Sequence, residues 1–116
     1  MHDISLVRET IATVLTRYVR ALGDGDRRGL EQFTSRLFTD YDLEQWRGAS
    51  ITRVVDIPLI TDDGGAGAYD LRTADGRRQF RWFMVLRNGD DWRVVADYAQ
   101  GPTVPRTSAR SAGRFA

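Results

Sequence analysis

The sequence predicts an α+β domain in which N-terminal helices pack on a curved antiparallel β-meander of about four strands. Apolar residues recur at helical spacing from Ile4 to Leu22, which indicates an amphipathic helix. In the second half, two Gly-centred turns at 73–78 and 87–91 lie between apolar runs. Such turns are the strongest short-range signal for β-hairpins. A helical first half and a hairpin-rich second half are typical of the α+β class.

The helices are predicted from apolar spacing and from their capping residues. Gly23 follows the last apolar residue of the first helix and is expected to be its C-terminal cap. Asp26 is a suitable N-cap for a second helix. That helix is expected to turn four apolar residues inward: Leu30, Phe33, Leu37 and Phe38. A third, short helix is predicted from Leu43 to Trp46.

Four strands are predicted after the helices, at 51–57, 66–73, 79–87 and 91–99. Pro58 directly follows the first strand, which places that strand at the sheet edge or bends it there. We expect residues 1–100 to form one domain. Residues 101–116 carry Arg106, Arg110 and Arg114 among Ser, Ala, Gly and Pro. Their composition predicts a flexible, Arg-containing tail.

The two turns predict the strand register. A three-residue turn at 88–90 pairs Leu86 with Trp92, and a two-residue turn at 75–76 pairs Tyr69 with Trp82. Side chains alternate along a strand, so the face expected to lie under the helices carries the aromatic residues around Trp82. A two-residue turn at 88–89 would instead pair Leu86 with Asp91. The burial of that carboxylate argues against this second register.

On the opposite face, the predicted register sets Arg81 beside both Asp70 and Asp97. This polar cluster has two interpretations. It could bind a ligand carboxylate or guide a proton, or it could be an ion-pair network across strands that contributes little if exposed.

The same opposite face would also expose Phe83, Val85 and Val95 as one apolar patch. Exposed apolar patches mark interaction surfaces, and a patch set against itself by a twofold axis gives a dimer. These three residues are therefore the predicted interface of a homodimer.

Four aromatic residues are candidates for a ligand-binding cavity: Tyr18, Tyr69, Trp82 and Tyr98. Their alternative role is to form the core between helices and sheet. Buried tyrosine hydroxyls need hydrogen-bond partners, so either role requires some polarity inside. A small apolar ligand would suit such a cavity.

Composition excludes several kinds of chemistry. All 17 basic residues are Arg and there is no Cys, which excludes Lys Schiff bases, thiol nucleophiles and thiolate metal sites. The single His is His2, so a Ser-His-Asp triad and a His-based metal site are not expected. We predict no cofactor and no metal. The use of Arg alone is typical of a GC-rich genome, as in actinobacteria.

Charge and hydropathy bear on partners and location. The first 100 residues hold 14 Arg against 16 acidic residues, so the folded part is not a basic nucleic-acid surface and no nucleic-acid partner is expected. No apolar run approaches the roughly 20 residues that span a bilayer. The N-terminus lacks the pattern of a signal peptide. We expect a cytoplasmic protein, with a leader or anchor before residue 1 left open.

Two segments resemble a known superfamily. Residues 18–26, followed by Leu30 and Phe33, resemble the helix-turn-helix of the NTF2-like (SnoaL-like, cystatin-like) proteins. Residues 83–94 resemble their closing hairpin, in which a turn Gly precedes a Trp-Arg-Val strand. The resemblance covers about residues 4–99 and implies an α+β cone. Enzymes of the superfamily have a longer segment where only residues 39–50 are available here, so the chain is more similar to short bacterial modules.

Two function classes follow from the resemblance. The first is a non-catalytic module that binds a partner or a small ligand and dimerises through its sheet. The alternative is a cofactor-free isomerase, cyclase or hydratase that uses Asp and Tyr in the cone. The short middle segment and the lack of a suitable His favour the first class.

Overall fold

The computed structural model describes residues 4–99 as an α+β arrangement, which confirms the predicted class. Three helices come first and four strands follow: α1 (Ile4–Asp24), α2 (Arg27–Phe33), α3 (Asp40–Gln45), β1 (Ser50–Thr61), β2 (Gly64–Arg72), β3 (Arg78–Asn88) and β4 (Asp91–Ala99). The strands form one antiparallel sheet in the order β1-β2-β3-β4. The predicted tail at 101–116 lies outside the described residues.

Helix α1 buries one stripe against the sheet, including Ile11, Leu15 and Tyr18. It runs through Gly23, so the predicted cap at Gly23 is wrong. Gly25 ends the helix with a φ of 68°, and its N–H donates to the carbonyl of Leu22 at 3.2 Å. The positive φ suits glycine, which has no Cβ to clash there.

The connection from α2 to α3 differs from the prediction, and α3 spans Asp40–Gln45 where the sequence predicted Leu43 to Trp46. Asp26 is the N-cap of α2, as predicted, and accepts a 2.9 Å hydrogen bond from the N–H of Gly29. The helix ends at Phe33, before the last two residues expected to face inward. Phe38 is nevertheless buried, whereas Leu37 is 89% exposed. Thr39 then caps α3 through a reciprocal capping box with Asp42.

Strand β1 is an edge strand, as Pro58 predicted. It continues past the proline to Thr61, and its pairing with β2 shifts at three places. A further shift lies in the pairing of β3 with β4, between Met84 and Val85. Bulges of this kind bend a strand and increase its twist.

The predicted register is wrong at both turns. Asn88 pairs with Asp91 across the two residues Gly89 and Asp90, so this turn is one residue shorter than expected. In the other hairpin, Arg72 pairs with Arg78, and Thr73 donates its N–H to the carbonyl of Arg77. That turn is one residue longer than expected.

These slips reverse the two faces of β3, because a one-residue shift moves every side chain to the other face. The inner face, which the helices cover, carries Tyr69, Leu71, Arg81, Phe83, Val85, Val94 and Asp97. The outer face carries Ala66, Ala68, Phe80, Trp82, Met84, Leu86, Ala96 and Tyr98. The prediction placed the aromatic face of β3 under the helices; the structure places it outside.

None of the helices among residues 4–99 is long and apolar enough to cross a membrane. Within the same range, no group of three or more His, Cys, Asp or Glu side chains is arranged to hold a metal ion.

Candidate functional site

The inner face contains a buried polar centre of four side chains: Tyr18, Tyr69, Arg81 and Asp97. The Asp97 carboxylate accepts three hydrogen bonds of 2.8 Å, from the two tyrosine hydroxyls and from Nε of Arg81. The Asp97 side chain is 4% exposed and that of Arg81 is 9% exposed. A buried charge is tolerated only when it is paired and hydrogen-bonded. The contacts of Asp97 meet both conditions.

Each member of the polar centre comes from a different element. Tyr18 lies on α1, Tyr69 on β2, Arg81 on β3 and Asp97 on β4. Tyr69 pairs directly with Arg81, while Asp97 pairs with Phe83 and is the diagonal neighbour of Arg81. One carboxylate therefore joins the first helix to three adjacent strands.

Burial and the neighbouring Asp97 carboxylate raise the pKa of Tyr18 and of Tyr69 well above the ordinary value of 10.0. Burial by itself would lower the pKa of Arg81. The charge and hydrogen bond of Asp97 outweigh burial and hold that pKa above its ordinary value. At neutral pH the phenols therefore stay protonated as donors and the guanidinium stays charged.

Aromatic rings cover the polar centre. The guanidinium of Arg81 lies 5.0 Å from the ring centroid of Trp46, a cation–π contact. The ring of Phe38 lies 6.4 Å from that of Tyr18. Arg81 also donates through Nη1 to the side-chain oxygen of Gln79. The polar centre is thus closed by side chains of this same chain, which supports a structural role.

The predicted polar cluster is divided between the two faces. Arg81 contacts Asp97, as predicted. Asp70 lies on the outer face, pairs across from Phe80, and makes a 2.8 Å ion pair with Arg53 instead. The expected contact between Asp70 and Arg81 is wrong because the register of β2 with β3 differs by one residue.

The predicted ligand-binding residues are divided in the same way. Tyr18 and Tyr69 lie in the polar centre, where both hydroxyls bond to Asp97. Trp82 and Tyr98 pair with each other on the outer face. The four side chains therefore line no common cavity, and a ligand-binding role for either pair stays a prediction.

The outer face is an exposed apolar surface. Met84, Leu86 and Tyr98 keep 39, 44 and 58% of their surface exposed. Trp82 stands beside Phe80, with ring centroids 6.0 Å apart and the planes nearly perpendicular. Ala66 and Ala68 of β2 and Ala96 of β4 pair with Met84 or Trp82 across the strands. These apolar side chains are neighbours in the sheet and are partly in contact with water.

The predicted dimer interface needs correction. Phe83 and Val85 are buried under the helices and belong to the core, where Phe83 packs on Tyr69. They present no surface to a second chain. Val95 is exposed beside the pairing shift in β4. The physical reason is again the reversal of β3, which exposes Met84 and Leu86 in place of Phe83 and Val85.

Charges differ between the two ends of the sheet. The end formed by the β2–β3 turn carries Arg72, Arg77 and Arg78 against Asp75, a net charge of +2. The opposite end carries four acidic residues against two arginines, a net charge of −2. They are Asp62, Asp63, Asp90 and Asp91, against Arg87 and Arg93. The apolar outer face lies between a basic end and an acidic end.

Four concave pockets on the described surface have volumes of about 260 to 390 Å³. One lies between α1 and α2 and is lined by Arg17, Arg20 and Arg28 together with Asp24 and Asp26. None of these four pockets is lined by a residue of the polar centre or of the outer face.

Sequence reasoning missed three features of this arrangement. It did not find the contact of Trp46 with Arg81, nor the two tyrosine hydroxyls on Asp97. A signal was present: a tyrosine on the buried stripe of the first helix, and a carboxylate within an apolar strand, each need a buried partner. It also missed that Phe83 and Val85 are as apolar as Trp82 and Met84, so either face of β3 could be covered.

In comparisons with models of protein families, with curated proteins and with solved structures, nothing matches this chain.

Proposed function

We propose that the protein is a non-catalytic interaction module that forms a homodimer through the outer face of its sheet. The observation that carries this proposal is the exposed apolar surface of Met84, Leu86 and Tyr98 beside the half-buried Trp82. Burying apolar surface contributes about 25 cal/mol per Å² removed from water, so a face of this composition favours association.

A second copy of the chain is the occupant that suits this face. The face is apolar in its middle and oppositely charged at its two ends, which makes it complementary to itself. A twofold interface sets the same patch on both subunits against itself and needs no other partner.

The contacts of the polar centre support a structural role. None of these contacts specifically favours the enzymatic alternative. Asp97 already accepts three hydrogen bonds and is almost fully buried. A general base must lie within hydrogen-bond distance of a proton on a bound substrate. The Asp97 carboxylate is instead surrounded by donors of this chain, namely the Tyr18 and Tyr69 hydroxyls and Nε of Arg81.

The proposal includes an NTF2-like relationship. A long N-terminal helix packed on a sheet of four antiparallel strands, with bulges in its pairing, supports that relationship. Bulges curve a sheet toward the cone shape that the resemblance implies. Fold alone does not assign a function, so the proposed function depends on the outer face.

Two matched variants test the interface. Met84→Asp places a carboxylate in the middle of the outer face, and Leu37→Asp places one on an exposed residue of the α2–α3 connection. We expect Met84→Asp to be a folded monomer by sedimentation velocity and circular dichroism, because a carboxylate buried in a symmetric interface has no partner. Leu37→Asp should sediment as the unmodified dimer. Equal dimer formation by both variants would contradict the proposal.

A further inference from the structure

The two ends of the outer face differ in charge, because the sheet is basic at one end and acidic at the other. Arg72 and Arg78 pair with each other at the basic end, and both are exposed. At the acidic end, Asn88 pairs with Asp91, whose side chain is 71% exposed. Between the Arg72–Arg78 pair and the Asn88–Asp91 pair, the outer face of β3 carries Phe80, Trp82, Met84 and Leu86.

The geometry of face-to-face packing limits how a second copy can lie on this face. A twofold axis that relates two stacked sheets must run in the plane between them. An axis parallel to the strands would set the basic end of one protomer on the basic end of the other. An axis perpendicular to the strands would set each basic end on the acidic end of the partner.

We infer that the twofold axis runs across the strands, so that Arg72 and Arg78 of each protomer lie over the Asp91 end of the other. This inference rests on the proposed dimer. Like charges placed directly opposite destabilise an interface, while opposite charges fix its orientation. In this arrangement Trp82 and Met84 lie nearest the axis, because they flank the middle of β3 between Arg78 and Asn88.

The two orientations predict opposite effects for one substitution. With the axis across the strands, Arg78→Asp sets a new carboxylate against the acidic end of the partner at two symmetric places. We expect the dissociation constant to rise roughly tenfold or more, given two altered surface ion pairs. With the axis along the strands, the same substitution would relieve Arg–Arg repulsion and tighten the dimer.

A charge-swap experiment isolates the contact. Asp91→Arg should also weaken its own homodimer, because the acidic end then loses its net negative charge and sets a new guanidinium against the basic end of the partner. An equimolar mixture of Arg78→Asp and Asp91→Arg should form a heterodimer with affinity close to that of the unmodified chain, since both contacts are again of opposite charge. Arg28→Asp, an equal change on exposed α2, is the control and should leave the dissociation constant unchanged.

Sedimentation equilibrium at low and high salt completes the test. The inferred dimer should weaken as salt rises, because screening removes attraction between the ends. A dimer that is tightened by Arg78→Asp, or whose affinity neither swap alters, would overturn the orientation and leave the proposed dimer standing. An unmodified chain that is monomeric at micromolar concentration would overturn the proposed dimer itself.

Discussion

The two faces of this sheet differ in the kinds of side chain that they bury and that they expose to water. The inner face buries an ion pair and two phenols, and each of these groups has a partner within the chain. The outer face has Trp82, Met84 and Leu86 in adjacent outward positions, and much of this apolar surface meets water. The helices therefore cover a face that contains a charged pair, while Met84 and Leu86 on the other face stay exposed. The comparison shows that satisfied hydrogen bonds, rather than apolar content alone, can decide which face of a sheet is internal.

The largest expected effect comes from introducing the same carboxylate at two neighbouring positions, Val85 on the inner face and Met84 on the outer face. Val85→Asp puts an unpaired charge at a site with no exposed surface, and the penalty of several kcal/mol is a large part of a typical domain stability of about 5–15 kcal/mol. We expect the variant to be unfolded by circular dichroism. Met84→Asp, one residue earlier, should remain folded. A folded Val85→Asp variant with a disrupted Met84→Asp variant would mean that the faces are assigned the wrong way round.

The next largest effect is expected from a comparison of two ion-paired carboxylates, Asp97 on the inner face and Asp70 on the outer face. Asp97→Ala leaves Arg81 buried with one partner fewer and leaves two phenols without their acceptor. We expect a loss of about 3–5 kcal/mol in the free energy of unfolding, measured by urea denaturation. Asp70→Ala removes an ion pair to the exposed Arg53 and should cost at most about 1 kcal/mol. Equal losses for the two variants would show that the polar centre has no special part in stability.

The dependence of stability on alkaline pH tests the two buried tyrosines of the inner face. The pKa values of Tyr18 and Tyr69 are raised above 10.0 in the folded state. Below pH 10 both states keep these protons and stability is unaffected. Above it the unfolded state releases protons that the folded state retains, so the free energy of unfolding falls by about 1.4 kcal/mol per pH unit for each tyrosine.

Urea titrations at several alkaline pH values measure this slope. Tyr69→Phe should roughly halve it, because phenylalanine has no proton to release. Tyr41→Phe is the matched control, since Tyr41 is exposed and its replacement should leave the slope as it was. A slope that Tyr69→Phe does not reduce would show that burial does not hold the Tyr69 phenol protonated.

Much of the fold could be predicted from the sequence. The buried stripe of α1, the Asp26 cap and the edge position that Pro58 gives to β1 each follow from a local rule, and the structure agrees with all three. The contact of Arg81 with Asp97 was also predicted, although the two residues are diagonal neighbours rather than directly opposite. The shorter turn and the pairing shift between Met84 and Val85 together displace β4 by two residues, which keeps Asp97 on the same face as Arg81.

The identity of the inner face could not be predicted, because it depends on the turn lengths and on a partner far along the chain. A difference of one residue at each turn reverses β3, and both faces of that strand are apolar enough to be internal. What favours the observed face is the Tyr18 hydroxyl, which reaches Asp97 across 79 residues of sequence. Local patterns indicate that Tyr18 and Asp97 each need a buried partner, but they do not identify that partner.

The central claim is that the outer face holds a second copy of this chain. Multi-angle light scattering of the unmodified 116-residue chain at micromolar concentration tests it most directly. The account predicts a mass twice that of the 13.2 kDa chain, falling toward the chain mass on dilution. A mass of 13.2 kDa throughout the micromolar range would contradict it.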